Sequence, residues 1–111
     1  LPDDGQGLRG IAASSGIVTG RACVCRSLDE ISRIKKGDIL ITIATDPAWT
    51  TVFSIISGVI IEGGGVVSHA VMISREYGIP CVSSLSQACD LIPDGQTITV
   101  DGGTGRVLIH K

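Results

Sequence analysis

The chain lacks most of what would tie it to a polyanion or a membrane. Nine Lys and Arg stand against eleven Asp and Glu, a formal charge of -2, so there is no basic field to grip nucleic acid or an anionic bilayer. No apolar run approaches the roughly eighteen residues needed to span a bilayer. The first residues, Leu1-Pro2-Asp3-Asp4, have none of the basic, apolar and cleavage regions of a signal peptide. A cytoplasmic protein with no nucleic-acid or membrane partner is expected. Four cysteines, Cys23, Cys25, Cys81 and Cys89, match neither a paired zinc-ligand spacing nor the density of a disulfide scaffold, and they read as buried free thiols. No metal site is expected. Internal repeats and disordered linkers are also missing.

What is present fits one hydrophobic core. With 111 residues, 43% of them hydrophobic, the chain has room for a single domain, 1–111. It does not open with Met, and it is expected to be a domain excised from a longer enzyme. Residues 18–26 and 39–43 read as strands, with Leu28, Ile31 and Ile34 at helical spacing between them. Asp46-Pro47 opens a second helix whose Trp49, Val52, Phe53 and Ile56 recur at spacings of three and four, a core-packing face. Residues 59–61 form a short apolar strand before three glycines. A third helix runs from about Ser68 to Tyr77, closed by Gly78 with Pro80 beyond, and 81–83 resumes strand. A helix around 86–91, a Pro93-Asp94-Gly95 turn and strands 97–100 and 106–109 complete an α/β fold, a mixed sheet flanked by helices.

The chemistry gathers at the glycine turn. A strand, then Gly63-Gly64-Gly65, then a helix is the geometry in which backbone N–H groups and a helix N-terminus surround an anion, phosphate above all. The spacing is neither a dinucleotide G-x-G-x-x-G nor a Walker loop with its Lys. His69 supplies the specific signal: it falls in the first turn of the helix behind Ser68 as N-cap, where the helix dipole favours negative charge. A neutral imidazole there is a nucleophile, and its phosphorylation places an anion among peptide donors. No Asp, Glu or Lys cluster stands ready to perform acid–base chemistry instead. His110 reads as terminal surface.

These residues resemble a known family. The segment EGGGVVSHAVMISREYGIPCV, residues 62–82, is similar to the phosphohistidine signature of phosphoenolpyruvate-utilising enzymes: pyruvate phosphate dikinase, phosphoenolpyruvate synthase, rifampicin phosphotransferase and the first enzyme of the sugar phosphotransferase system. Ala13-Ser14-Ser15-Gly16, Gly37-Asp38-Ile39-Leu40, Thr45-Asp46-Pro47 with Trp49, and Asp94-Gly95 leading to Val100-Asp101-Gly102 follow in the family's order. The Thr-Asp-Pro-x-Trp stretch is closer to phosphoenolpyruvate synthase and rifampicin phosphotransferase than to the dikinase.

The resemblance implies a swivelling β/β/α domain of a phosphotransferase that is not a complete catalyst alone. His69 would carry phosphate between a nucleotide-binding domain and a domain for phosphoenolpyruvate, pyruvate or another acceptor in the same polypeptide. Gly64, Gly65, Ser68 and Arg75 would contact the phosphate. This domain would bind no cofactor of its own, Mg²⁺ and ATP being held by the nucleotide-binding domain. Two features complicate the match. Many members carry Thr where this chain has Val67, a change read as subgroup character, and a non-catalytic regulatory or interaction module with the same fold is the alternative. Arg75, six residues after His69, is rotated by about 240° on an ideal helix and so falls off the histidine's face. An ion pair with Glu62, Glu76 or another carboxylate is its competing role. By the same count Met72, Ile73 and Glu76 lie nearest His69, and the apolar surface there has two readings, transient docking against partner domains or complete burial in the small core.

Overall fold

The computed structural model describes residues 6–63 and 68–110. Its centre is a mixed eight-stranded sheet: β1 (Gln6–Arg9), β2 (Ile11–Ser14), β3 (Ile17–Val24), β4 (Ile39–Thr42), β5 (Gly58–Ile61), β6 (Cys81–Ser83), β7 (Thr97–Asp101) and β8 (Arg106–Ile109). The strand order is β1-β8-β7-β3-β4-β5-β6-β2. Strands β3, β4, β5 and β6 run parallel, whereas β1, β8, β7 and β3 pair antiparallel and β2 lies antiparallel to β6. β1 and β2 are separated by Gly10 alone yet stand at opposite ends of that order, so the sheet must curl back on itself. The backbone N–H of Gly10 donates to the carbonyl of Gly105 across the closure, at 2.8 Å.

Parallel neighbours need crossovers, and the three here are a 3₁₀ segment Leu28–Arg33, a second 3₁₀ segment Pro47–Ser54, and helix α1 (His69–Tyr77). They pack on one face, where Cys23, Cys25, Leu40, Val59, Ile61 and Cys81 meet Trp49, Val52, Phe53, Ile56, Ala70 and Val71. The alternate residues Val24, Ile39, Ile41, Ile60 and Val82 point the other way, into a second core shared with Ile98, Val100, Val107, Ile109 and the short helix α2 (Ala88–Leu91). Side-chain alternation at period two therefore sorts each strand between two cores. β4 and β5, covered on both faces, are apolar or small throughout.

The expected α/β fold and the bounds of β6 and β8 are found as read. Three points differ. The two helices expected before the glycine turn are 3₁₀ segments, their turns closed by i→i−3 bonds such as Trp49 N–H to Asp46 O. Helix α2 starts later than expected because Gln87, its N-cap, sits in the left-handed region at φ 62°. Strands β1 and β2 were not expected, since four-residue edges beside Gly7 and Gly10 carry no periodic signal of their own. No described helix is long and apolar enough to cross a membrane.

All four thiols are buried and free, as expected. Burial pushes Cys25 up to about 12 and Cys81 to about 11. Burial, then the neighbouring Glu62 carboxylate, pushes Cys89 to about 12. Against an ordinary value of 9.0, these thiols stay protonated in the fold at pH values where the unfolded chain releases them. The unfolded state then binds fewer protons than the native one, so their contribution is complete below pH 9.0 and is lost as pH rises toward 11 and 12. Urea midpoints should accordingly fall steeply above about pH 9. Cys25→Ala combined with Cys89→Ala should flatten that slope; an unchanged slope would assign it to other groups.

Candidate functional site

The site lies where the parallel strands β4 and β5 end, the edge at which open α/β sheets present their ligand sites. Beyond β4 the chain passes Ile43 and Ala44 to Thr45. Beyond β5 it passes Glu62 and Gly63 toward α1. The two exits stay paired: Glu62 N–H donates to Thr42 O at 3.1 Å and Gly63 N–H to Ile43 O at 3.3 Å. The Glu62 carboxylate accepts from the backbone N–H of Cys89 at 2.9 Å, which ties this corner to α2. Gly64 and Gly65, expected to cradle phosphate, and Val67 lie outside the described residues.

His69 is the first residue of α1. Ser68 is its N-cap as expected, extended at φ -144°, and its hydroxyl accepts from Val71 N–H at 3.4 Å. Gly78 closes the helix in the left-handed region at φ 70°. Ala70, Val71 and Ser74 are buried against the sheet, which fixes the helix and turns His69 outward, half-buried. Two hydroxyls bracket its ring: Nδ1 lies 2.8 Å from Thr45 Oγ1 and Nε2 3.4 Å from Thr50 Oγ1. The edge of Phe53 closes the third side, ring centroids 6.0 Å apart and planes at 83°. Phe53 is itself fully buried, a burial worth roughly 2–3 kcal/mol, so the ring rests against a fixed wall.

Among the described residues no ion pair of Arg75 is found, with Glu62, Glu76 or another carboxylate. Its Nε donates to the carbonyl of Ala13 in β2 at 2.9 Å. Rotation off the histidine's face accounts for this, because it aims the guanidinium at β2. Even so, Arg75 joins His69, Met72, Ile73 and Glu76 in lining an open groove of about 370 Å³. Met72 is 57% exposed at its rim, so apolar surface does remain beside His69.

The partners of His69 were not picked out as site residues from the sequence. Thr45 and Thr50 precede it by 24 and 19 residues, and only the parallel β4–β5 pairing brings them together. Phe53 was assigned to the core, correctly, and also touches the site. The reading of His110 as terminal surface needs correction. Its ring is half-buried, with Nε2 2.6 Å from Thr99 Oγ1, which in turn lies 2.7 Å from Thr19 Oγ1. The pairing of β7 with β8 carries it inward.

Comparison with known proteins bears on this site. A model of the family described as "PEP-utilising enzyme, mobile domain" matches residues 34–105, which include every described residue around His69 except Ala13. An uncharacterized phosphotransferase, YvkC, of Bacillus subtilis is 44% identical over 100 residues, 90% of this chain and 12% of the relative. Rifampicin phosphotransferase of Bacillus cereus is 42% identical over 92% of the chain and 12% of the relative. A probable phosphoenolpyruvate synthase of Methanothermobacter thermautotrophicus is 38% identical over 90% and 15%. The chain thus spans about one eighth of the length of these relatives. Among solved structures, Enzyme I (nEIt) superposes with TM-score 0.62 at 24% identity over 72% of this chain and 33% of that one. Thermococcus kodakaraensis aconitase X, in its holo form, gives 0.76 at 17% identity over 96% and 100%. At such identities the superpositions speak for the fold alone.

Proposed function

Since this chain belongs to the mobile-domain family of phosphoenolpyruvate-utilising enzymes, we propose that it is the phosphoryl carrier of a longer cytoplasmic phosphotransferase, with His69 as the acceptor. The observation that carries this reading is the placement of His69. A nucleophilic ring opens a helix at the ends of parallel strands, braced on three sides and open to a groove on the fourth. Among the described residues the side chains hydrogen-bonded to His69 are the hydroxyls of Thr45 and Thr50, neither of them a carboxylate or an amine, and a carrier needs no acid–base partner. It needs a nucleophile, donors for the anion formed, and a surface that docks without tight binding.

In this reading the donor is ATP, held with Mg²⁺ by a nucleotide-binding domain of the same polypeptide, and the domain swings to a second active site for phosphoenolpyruvate, pyruvate or another acceptor. The names of the relatives, rifampicin phosphotransferase and phosphoenolpyruvate synthase, support that range of acceptors. The N–H groups of Gly64 and Gly65 and the hydroxyl of Ser68 meet the transferred phosphate at the helix N-terminus. Arg75 reaches it once the contact with Ala13 O opens. A tether raises the local concentration of His69 at each partner site to roughly millimolar, which removes any need for a tight interface.

Labelling tests the reading directly. Incubated with the nucleotide-binding domain of its parent enzyme, Mg²⁺ and ATP, the chain should gain one phosphoryl group on His69, labile in acid and stable in alkali as a P–N bond is. Absence of uptake from both ATP and phosphoenolpyruvate, with the partner domains folded, would leave a regulatory module in its place.

A further inference from the structure

From the exposure of its sulfur atoms we propose that Met72 is an oxidation site: a peroxide converts its thioether to the sulfoxide, and the polar group so formed shuts the groove beside His69 to the nucleotide-binding domain. The second half rests on the carrier reading above, which supplies the docking that the groove performs.

The chain's sulfur atoms are those of four cysteines and one methionine. Cys23, Cys25, Cys81 and Cys89 are free but buried, each 5% exposed or less, and burial raises all four thiols. A thiol reacts with peroxide through its thiolate, so these four are withheld twice, by access and by protonation. A thioether has no proton to lose. Its lone pairs stand ready at every pH, and exposure alone decides how fast it reacts. Met72 is more than half exposed. The usual order, in which thiols take an oxidant before thioethers, is therefore inverted in this fold.

Helix geometry puts that sulfur where a polar group matters. Ala70, Val71 and Ser74 turn one side of α1 into the sheet, which leaves His69 and Met72, three residues apart, side by side on the open one. Both line the groove with Ile73, Arg75 and Glu76. Ile73 packs back against the core, so Met72 is the apolar side chain that reaches outward to meet a docked domain. Its flexible thioether suits a surface that must fit more than one partner.

The oxidation balances without help from the protein. A sulfur lone pair attacks one peroxide oxygen, the O–O bond breaks, and the second oxygen leaves as hydroxide, which takes a proton to become water. Sulfur is oxidised by two electrons and peroxide is reduced by the same two. The product keeps the length of methionine but carries an S–O dipole. Docking would then bury an oxygen that water had hydrated, and that desolvation weakens the contact. The imidazole's own contacts are with Thr45, Thr50 and Phe53, so oxidation leaves the nucleophile in place.

The test treats the chain with hydrogen peroxide, removes the excess with catalase, and compares it with an untreated portion. Peptide mass mapping should find one added oxygen, on Met72, with all four thiols still open to alkylation after unfolding. Phosphate transfer from ATP through the untreated nucleotide-binding domain should slow about 10-fold, through KM for the chain more than through kcat. Phosphoramidate, a small donor that phosphorylates histidine without a partner domain, should label oxidised and untreated chain at the same rate. Methionine sulfoxide reductases should restore the transfer. Met72→Leu should transfer at its own rate with or without peroxide treatment, while Met72→Gln, polar and of similar length, should be slow without any. Oxygen found on a cysteine instead of Met72, or an oxidised chain that transfers as fast as the untreated one, would overturn the proposal. So would an equal loss with phosphoramidate, which would place the damage at the ring. An untreated chain that reacts with phosphoramidate but never with ATP and the partner domain would remove the carrier reading, and the control of docking with it, while the mass map would still decide whether Met72 is the oxidation site.

Discussion

His69→Ala is expected to abolish phosphoryl uptake while leaving the fold in place. The ring is half-buried, carries no ion pair among the described residues and touches two hydroxyls and one aromatic edge, so its removal opens no sealed cavity. Alanine is the best helix former, and the Ser68 cap bonds to Val71 N–H, which the substitution leaves alone. Stability should change by less than about 1 kcal/mol, read from urea midpoints. Uptake of labelled phosphate should fall below detection, since the substitution removes the imidazole nucleophile. His110→Ala is the matched control: it breaks the bond to Thr99 and lowers stability, but the chain should still take up one phosphate. Label that persists in His69→Ala, on Ser68, Thr45 or Thr50, would move the acceptor off the imidazole.

The sequence announced His69 and its helix because each of the signals involved is local. Ser68 caps three residues ahead, Gly78 supplies the left-handed stop and Pro80 ends the run, all within thirteen positions. The parallel strands were legible for the same reason, as short β-branched runs between turn residues. The bracket around the ring was not legible, because Thr45 and Thr50 meet His69 through strand pairing and crossover handedness, and neither leaves a mark on residue spacing. Arg75 shows the same limit from the other side. Helical rotation predicted that it would leave the histidine's face, but the partner it found, a backbone carbonyl of β2, belongs to a strand with no periodic signal. Strands β1 and β2 exist because the curled sheet offers them open edges at β8 and β6. Their own sequences, broken by Gly7 and Gly10, contribute little.

That closure of the sheet depends on one hairpin, and Gly102→Ala is expected to unfold most of the chain. The turn between β7 and β8 begins with Asp101, whose carboxylate accepts from Gly103 N–H at 2.9 Å and holds the turn in shape. Gly102 N–H donates to Gly16 O at 2.8 Å, which docks the turn against the loop following β2. A Cβ on Gly102 would sit 1.8 Å from Ser14 O and 2.9 Å from Cys81 N. Both are backbone atoms of paired strands, so no side chain can swing clear, and relief requires β2 to part from β6 or the hairpin to lift from both. Either movement exposes apolar core and also shifts Ala13, the residue that holds Arg75. A loss of about 4 kcal/mol or more is expected, a large share of the roughly 5–15 kcal/mol that holds a domain together. The neighbouring Gly103 is exposed, and a Cβ there meets only the Asp101 carboxylate, at 3.3 Å, so Gly103→Ala should cost little. Urea unfolding of the two variants side by side makes the comparison. A Gly102→Ala protein as stable as Gly103→Ala would mean that the hairpin yields without cost and that the ends of the sheet are held together elsewhere.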